Sequence, residues 1–325
     1  MNVARVVFLH GLPQEIVDLV TSYTPEGFTT TSVDGKLPEE ELIKVVKEAQ
    51  FIVVYRARLS DRVLRAATEA RLVQLLSAGY DRMNLKLMKE LGIPCASNGG
   101  ANSWAVSDHA VLLMLSLYKH LVLADKSARE GRWSAPIDRL KTYEMANKMV
   151  GILGFGNIGR KVAQRVQGFE AMVQYYDKYP LPEQRDRELN VERVPLDELF
   201  RSSDIITCHT PLTPETRHIA SRERMALMKP SAVLINTSRG PVVDEPALIE
   251  ALREGRIAGA GLDVFEKEPI DLDNPLLKME NVVVTPHRAG TTWNTWFRRA
   301  EFAYQNIKRV WEGNPPLALA QDYEG

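Results

Sequence analysis

Short β-branched runs alternate along this chain with stretches whose apolar residues recur every three or four positions. In the first hundred residues, Val6–His10, Phe51–Tyr55, Leu72–Leu76 and Pro94–Ser97 read as strands. Gln14–Ser22, Glu39–Ala49, Asp61–Ala70 and Leu85–Leu91 read as helices. Strands separated by helical periodicity mean βαβ units and a parallel sheet. From Ser103 to about Arg129 the pattern stays helical without Gly or Pro, with Ser103 as N-cap and Gly131 as the stop. That stretch predicts one long helix. A second series begins at Met149, with strands at Val150–Leu153, Met172–Tyr176, Asp204–Cys208, Ala232–Asn236, Gly261–Val264 and Val282–Thr285. Between them Ile158–Gln167, Arg222–Met228 and Pro246–Glu254 are helical, and Thr291–Trp311 is a last amphipathic helix closed by Gly313-Asn314-Pro315-Pro316. No internal repeat or low-complexity tract interrupts the pattern. The chain reads as two successive α/β sheets that divide near residue 100.

Composition narrows the possibilities. A length of 325 residues exceeds one ordinary core, so about two domains are expected. A formal net charge of −1 lacks the electrostatic footprint of a nucleic-acid binder. Small acidic metabolites stay open as ligands. Cys95 and Cys208 cannot build a disulfide framework and stand in no CxxC or Cys/His cluster, so a reducing compartment and no metal site are expected. The apolar run Val6–Leu9 is too short for a signal peptide, and Ala110–Leu117 falls well below the about 20 residues of a spanning helix. A soluble, cytoplasmic protein without a membrane partner is the expectation.

Gly154-Phe155-Gly156-Asn157-Ile158-Gly159 is a GxGxxG that follows the strand ending at Leu153 and opens the helix running to Gln167. In that context the first glycine permits the tight turn, the second lets a pyrophosphate approach the backbone, and the third lets helix pack on strand. The helix N-terminus then offers free N–H groups and a positive dipole end to the phosphates. Asp177 ends the next strand, 18 positions beyond Gly159. An acid there suits the ribose diol of NAD and repels the 2′-phosphate of NADP, although Lys178 is adjacent.

Three downstream segments place polar residues just after strands: Asn236-Thr237-Ser238-Arg239-Gly240, Asp263-Val264-Phe265-Glu266-Lys267-Glu268-Pro269 and Thr285-Pro286-His287. Ligands of open α/β sheets lie outside the carboxyl ends of strands, so these are candidate ligand contacts, Thr237 and Ser238 among them. Reduction of a keto acid needs a cation for the carboxylate and carbonyl, an acid for the forming alkoxide, and a group that keeps that acid charged. Arg239, His287 and Glu268 supply those chemistries.

With these motifs the sequence resembles the D-isomer-specific 2-hydroxyacid dehydrogenases, which include glyoxylate/hydroxypyruvate reductases and phosphoglycerate dehydrogenases. The resemblance runs from the sheet before Ser77 to Pro316 and is most specific across Gly151–Gly159 and Asn236–Ala289. It implies that Arg239 binds and polarises the substrate, that His287 donates the proton, and that Glu268 pairs with His287. It further implies that Asp263 hydrogen-bonds the nicotinamide amide, that His209-Thr210-Pro211 lies near the other half of the cofactor, and that backbone N–H groups of Ala78 and Gly79 hold the substrate carboxylate. Arg56 and Arg58 follow the strand Phe51–Tyr55 and are further candidates for substrate contact.

The implied architecture is α/β with two doubly wound parallel-sheet domains. A flavodoxin-like substrate domain takes residues 1–100 and 290–325, and an inserted Rossmann NAD domain takes 101–289. Closure around the substrate would exclude water, and the long helix from Ser103 would pair two copies through their NAD domains. Two rivals share the scaffold. A formate or phosphite dehydrogenase is disfavoured because the formate branch pairs its histidine with Gln, whereas Glu268 stands here. An NAD-sensing, corepressor-like binding protein is disfavoured by the near-neutral charge and the absence of disordered tails. Two residues depart from the family pattern, Trp104 in place of something smaller and Arg288 in place of an apolar residue. Side-chain alternation in an extended segment predicts that Arg288 points away from the side His287 faces, toward an acidic partner. The alternative is a turn after His287 that brings Arg288 into the cleft and favours substrates with a second anionic group.

Overall fold

The structure is a computed structural model that describes residues 3–133 and 141–320. It forms two compact units, Met1–Asn102 with Thr291–Gly325, and Ser103–Gly290.

In the first unit β1 (Ala4–His10), α1 (Gln14–Thr21), β2 (Phe28–Asp34), α2 (Glu39–Val46), β3 (Phe51–Val54), α3 (Asp61–Ala66), β4 (Leu72–Leu75), α4 (Leu85–Glu90) and β5 (Cys95–Ala96) follow one another. The strands are all parallel in the order β2-β1-β3-β4-β5. That is the flavodoxin-like doubly wound order. Successive side chains of a strand point to opposite faces, so Val6 and Phe8 join one core with Phe51 and Val53, while Val7 and Leu9 join the other with Ile52 and Val54. Helices cover both faces, as a parallel sheet requires. Strand β2 has no counterpart in the hydrophobic pattern. Its sequence, Phe-Thr-Thr-Thr-Ser-Val-Asp, lies on the sheet edge with mostly exposed side chains, so it needs no apolar alternation.

The second unit runs α5 (Ser103–Tyr118), α6 (Leu121–Arg129), β6 (Met149–Leu153), α7 (Asn157–Gln167), β7 (Met172–Tyr176), α8 (Glu183–Leu189), β8 (Glu192–Arg193), α9 (Leu196–Ser202), β9 (Ile205–Cys208), α10 (Arg222–Met225), β10 (Val233–Asn236), α11 (Glu245–Arg253), β11 (Gly259–Leu262) and β12 (Val282–Val284). Its seven strands are parallel in the order β12-β11-β10-β9-β6-β7-β8. Strand order reverses between β6 and β9, and such a switch point is where dinucleotides bind.

The single helix expected from Ser103 to Arg129 is two helices bent by 62°. His120 takes a left-handed conformation at φ 47° and caps the break. Burial explains the bend. Helix α5 is apolar on most sides and buries Ala110, Val111, Leu113, Met114 and Leu117, whereas α6 buries only Ser127. One helix belongs inside and the other on the surface. Helices α8 and α9 and strand β8 also lay outside the sequence reading, because short, charge-rich segments carry little periodic signal.

Helix α12 (Trp293–Trp311) returns to the first unit. Trp296, Ala300, Ala303, Tyr304 and Ile307 pack with Val6, Phe8, Phe51 and Val53. Its buried Asn306 donates to Gln74 Oε1 at 2.7 Å and to the Leu317 carbonyl at 3.1 Å, so its interior amide is satisfied. Among the described residues no single helix is long and apolar enough to cross a membrane, and no group of three His, Cys, Asp or Glu side chains is arranged to hold a metal ion.

Candidate active site

Register aligns the carboxyl ends of the second sheet. Tyr176 pairs with Leu153, Leu153 with Cys208, Cys208 with Asn236, Asn236 with Leu262, and Leu262 with Val284. The residues that follow this row are Asp177, Gly154, His209, Thr237, Asp263 and Thr285. Six positions spread over more than a hundred residues are thereby brought to one edge, where the strands stop supplying backbone partners to each other.

The glycine turn sits at the middle of that edge. Gly154 has φ 94°, and a Cβ there would press on the Thr210 backbone nitrogen, so both conformation and space demand glycine. A Cβ at Gly159 would overlap the Gly154 carbonyl, which is the close approach of helix to strand expected of the third glycine. Gly156 borders open space and is the N-cap of α7, whose first N–H groups receive no side-chain cap. An anionic group fits that opening. Beside the turn, Thr210 Oγ1 is buried with no hydrogen-bond partner. A buried hydroxyl in that condition costs about 1–3 kcal/mol, which a polar ligand would recover. The residues present therefore fit a dinucleotide.

Asp177 is drawn against the turn. Its Oδ2 accepts the Phe155 N–H at 2.6 Å and its Oδ1 accepts the Tyr179 N–H at 2.8 Å. Lys178 lies exposed, with its ammonium 5.5 Å from the Tyr179 ring centroid. His209 meets Thr207 Oγ1 through Nε2 at 2.8 Å and Thr237 Oγ1 through Nδ1 at 3.5 Å. Burial pushes its pKa down to about 3, so this imidazole is neutral.

Arg239 follows β10 in extended backbone, held by the Asn236 side-chain N–H donating to its carbonyl at 2.9 Å. Its own Nη1 donates to the Ser238 carbonyl at 2.7 Å. Next to it Gly240 packs flat on the backbone of Phe265 and Glu266, where a Cβ would overlap the Phe265 carbonyl. That contact ties the arginine segment to the loop carrying Glu268. Glu268 Oε1 accepts the Phe265 N–H at 3.2 Å, and Oε2 meets His287 Nδ1 at 2.7 Å. Burial pushes the Glu268 pKa up, but the hydrogen bond and charge of His287, the Phe265 N–H and the nearby Arg239 outweigh it, and the net shift is downward. The carboxylate is ionised at neutral pH and accepts the Nδ1–H. Arg239, Glu268 and His287 are thus one electrostatic cluster, although 48 residues separate the first from the last.

His287 has φ 52°, a left-handed conformation uncommon for a residue with a side chain. The expected extended segment is absent, and with it the alternation that was to aim Arg288 away from His287. The chain turns instead, because His287 N–H donates to the Asp263 carbonyl at 2.8 Å, while Arg288 N–H and Ala289 N–H donate to the Asp263 carboxylate, each at 2.8 Å. The Arg288 side chain is exposed. Asp263 itself is only 1% exposed. Its carboxylate also accepts from Thr285 Oγ1, which donates to Oδ1 at 2.6 Å. His109 on α5, whose Nε2 lies 2.9 Å from Thr285 Oγ1, was missed by sequence reasoning. A histidine at the start of the apolar run Ala110–Leu117 was the one signal available for His109.

In the first unit, Arg56 follows β3 at φ 58°, its guanidinium 5.5 Å from the Tyr55 ring centroid. Ala78 and Gly79 form the turn after β4, where Ser77 Oγ donates to the Gly79 carbonyl at 2.9 Å. Arg56 and Arg58 line a cavity of about 440 Å³ with Ala57, Asp81 and Arg82.

Comparison with known proteins bears on this arrangement. A family model described as D-isomer specific 2-hydroxyacid dehydrogenase, NAD binding domain, matches residues 111–289. The chain is 40% identical to a glyoxylate reductase of Korarchaeum cryptofilum over 286 residues, 86% of each protein. It is 38% identical to a hydroxypyruvate reductase of Thermotoga maritima over 79% of this chain and 83% of the relative. The solved structure of the TT0316 protein of Thermus thermophilus superposes with a TM-score of 0.84 at 34% identity, covering 97% of this chain and 99% of that one.

Proposed function

Since this chain belongs to the D-isomer-specific 2-hydroxyacid dehydrogenases and carries their NAD-binding domain over residues 111–289, we propose that Arg239, Glu268 and His287 are the groups that perform its reaction. The enzyme is an NAD-dependent oxidoreductase of a small 2-hydroxy or 2-keto acid. Bound NADH supplies the hydride that reaches C2 in the reducing direction. This chain's own groups handle the accompanying proton and charge. Glu268, ionised and hydrogen-bonded to Nδ1 at 2.7 Å, orients the imidazole, so that the Nε2 proton is the one given to the forming alkoxide. The Arg239 guanidinium holds the carboxylate and stabilises charge that develops on the carbonyl oxygen. Ala78, Gly79 and Arg56 are assigned to the substrate carboxylate. The cofactor contacts assigned are Gly154 to Gly159, Asp177, His209 to Pro211, Thr237, Ser238, Arg239, Asp263 and His287.

The observation that carries this reading is the short Glu268–His287 bond beside Arg239. A panel of 2-keto acids read by NADH absorbance tests it. We expect turnover with glyoxylate or hydroxypyruvate, and a His287→Ala variant whose kcat falls by about 10²–10⁴-fold with NADH affinity retained. Near-normal turnover in that variant would remove His287 from the mechanism. The same reading assigns a cytoplasmic homodimer paired through α5 and α6, where Trp104, Leu112, Leu121 and Val122 are exposed. A monomer mass in light scattering would contradict it.

A further inference from the structure

We propose that His109 on α5 is a positioning residue for the proposed proton donor His287, acting through Thr285 and Asp263. The inference rests on the reading of His287 given above. His109 Nε2 lies 2.9 Å from Thr285 Oγ1 and 3.7 Å from Asp263 Oδ1, and Thr285 Oγ1 lies 2.6 Å from the same Oδ1. The direction of each hydrogen bond follows from counting protons. The Asp263 carboxylate already accepts two backbone N–H groups, and the single hydroxyl proton of Thr285 goes to its Oδ1. The Thr285 oxygen must then accept from His109, which carries its proton on Nε2. A chain of donors therefore runs from His109 through Thr285 to Asp263.

What this chain of bonds holds is the turn that aims His287. Asp263 takes the N–H groups of Arg288 and Ala289 on its two oxygens and the N–H of His287 on its backbone carbonyl. Those three bonds keep His287 at φ 52°, a conformation that costs free energy and persists only where its surroundings over-determine it. A carboxylate with two oxygens and several donors can rotate to serve some at the expense of others. The Thr285 hydroxyl, itself oriented by His109, fixes which oxygen faces which donor. His109 is held in turn by α5, a helix packed within the core of the second unit through Ala110, Leu113 and Met114. The rigidity of that helix is thereby passed to a loop that has no regular structure of its own.

The test compares His109→Ala, His109→Gln, Thr285→Val and Thr285→Ser in the full-length chain. Amide exchange of the peptide covering residues 285–290 reads the turn directly, without activity. Kinetics read kcat and KM for the keto acid, and fluorescence titration reads NADH affinity. His109→Ala and Thr285→Val should each speed exchange in that peptide and lower kcat by about tenfold, the worth of one to two such hydrogen bonds. NADH affinity should stay within about twofold, and the double variant should be no worse than Thr285→Val alone, because both remove the same chain. His109→Gln and Thr285→Ser, which keep the donors, should recover most of the loss. Wild-type exchange and kcat in His109→Ala or Thr285→Val would overturn the proposal, as would a loss confined to NADH affinity. If His109→Ala fails to fold, the Thr285 pair decides alone. A wild-type enzyme inactive on every 2-keto acid would instead refute the proposed function, and the exchange data would still judge the network.

Discussion

Asp177 has two tasks that one substitution separates poorly, and the structure says how the outcome divides. Its carboxylate is proposed to meet the ribose diol, and it accepts the Phe155 N–H within the glycine turn. Asp177→Ala should therefore narrow the preference for NADH over NADPH, because a repelling charge is gone. It should also weaken both cofactors, because the turn loses a charge-assisted hydrogen bond. Dissociation constants for the two cofactors check this. A narrowed ratio with unchanged NADH affinity would mean that Phe155 finds another acceptor. Asp177 and the three glycines were legible from spacing alone, since strand, turn, helix and strand are consecutive. The Asp263 bonds to residues 288 and 289 were not, because they join a loop to a carboxylate 25 residues away through a turn at His287.

Elements act here through where they end. The common register of six strands delivers Asp177, Gly154, His209, Thr237, Asp263 and Thr285 to one edge, and burial there has consequences for titration. His209 resists protonation in the folded chain until about pH 3, against an ordinary value of 6.5. Between those limits the unfolded chain binds more protons, so the stability owed to neutral His209 is complete above pH 6.5 and is lost as pH falls toward 3. A His209→Asn variant should lose stability less steeply than wild type over that window, read as thermal midpoint against pH. Parallel curves would show that His209 is protonated without cost.

At the scale of the molecule, the chain makes two compact units, and helix α12 belongs to the one formed by the N-terminal residues. Ile307 is fully buried in that unit's core. Ile307→Ala should destabilise the unit by about 2–5 kcal/mol through lost burial and the cavity left behind. NAD, bound by the other unit, should raise only the transition of its own unit. Calorimetry with and without NAD checks both. A single transition shifted equally by the variant and by NAD would mean that the units unfold as one.

The sequence by itself determined the fold class, the glycine turn and the choice of the three side chains proposed to react. Strand and helix periodicities are local, and an acid, a histidine and an arginine after strand ends have few other chemistries. Only the tertiary structure decided the break between α5 and α6, the edge strand β2 and the turn at His287. Each depends on what lies across space: a core that admits one helix and not the next, a sheet edge that asks nothing apolar of its last strand, and a buried carboxylate that collects the amides of a loop 25 residues away. Burial and hydrogen-bond satisfaction are properties of the packed chain, and no window of sequence contains them.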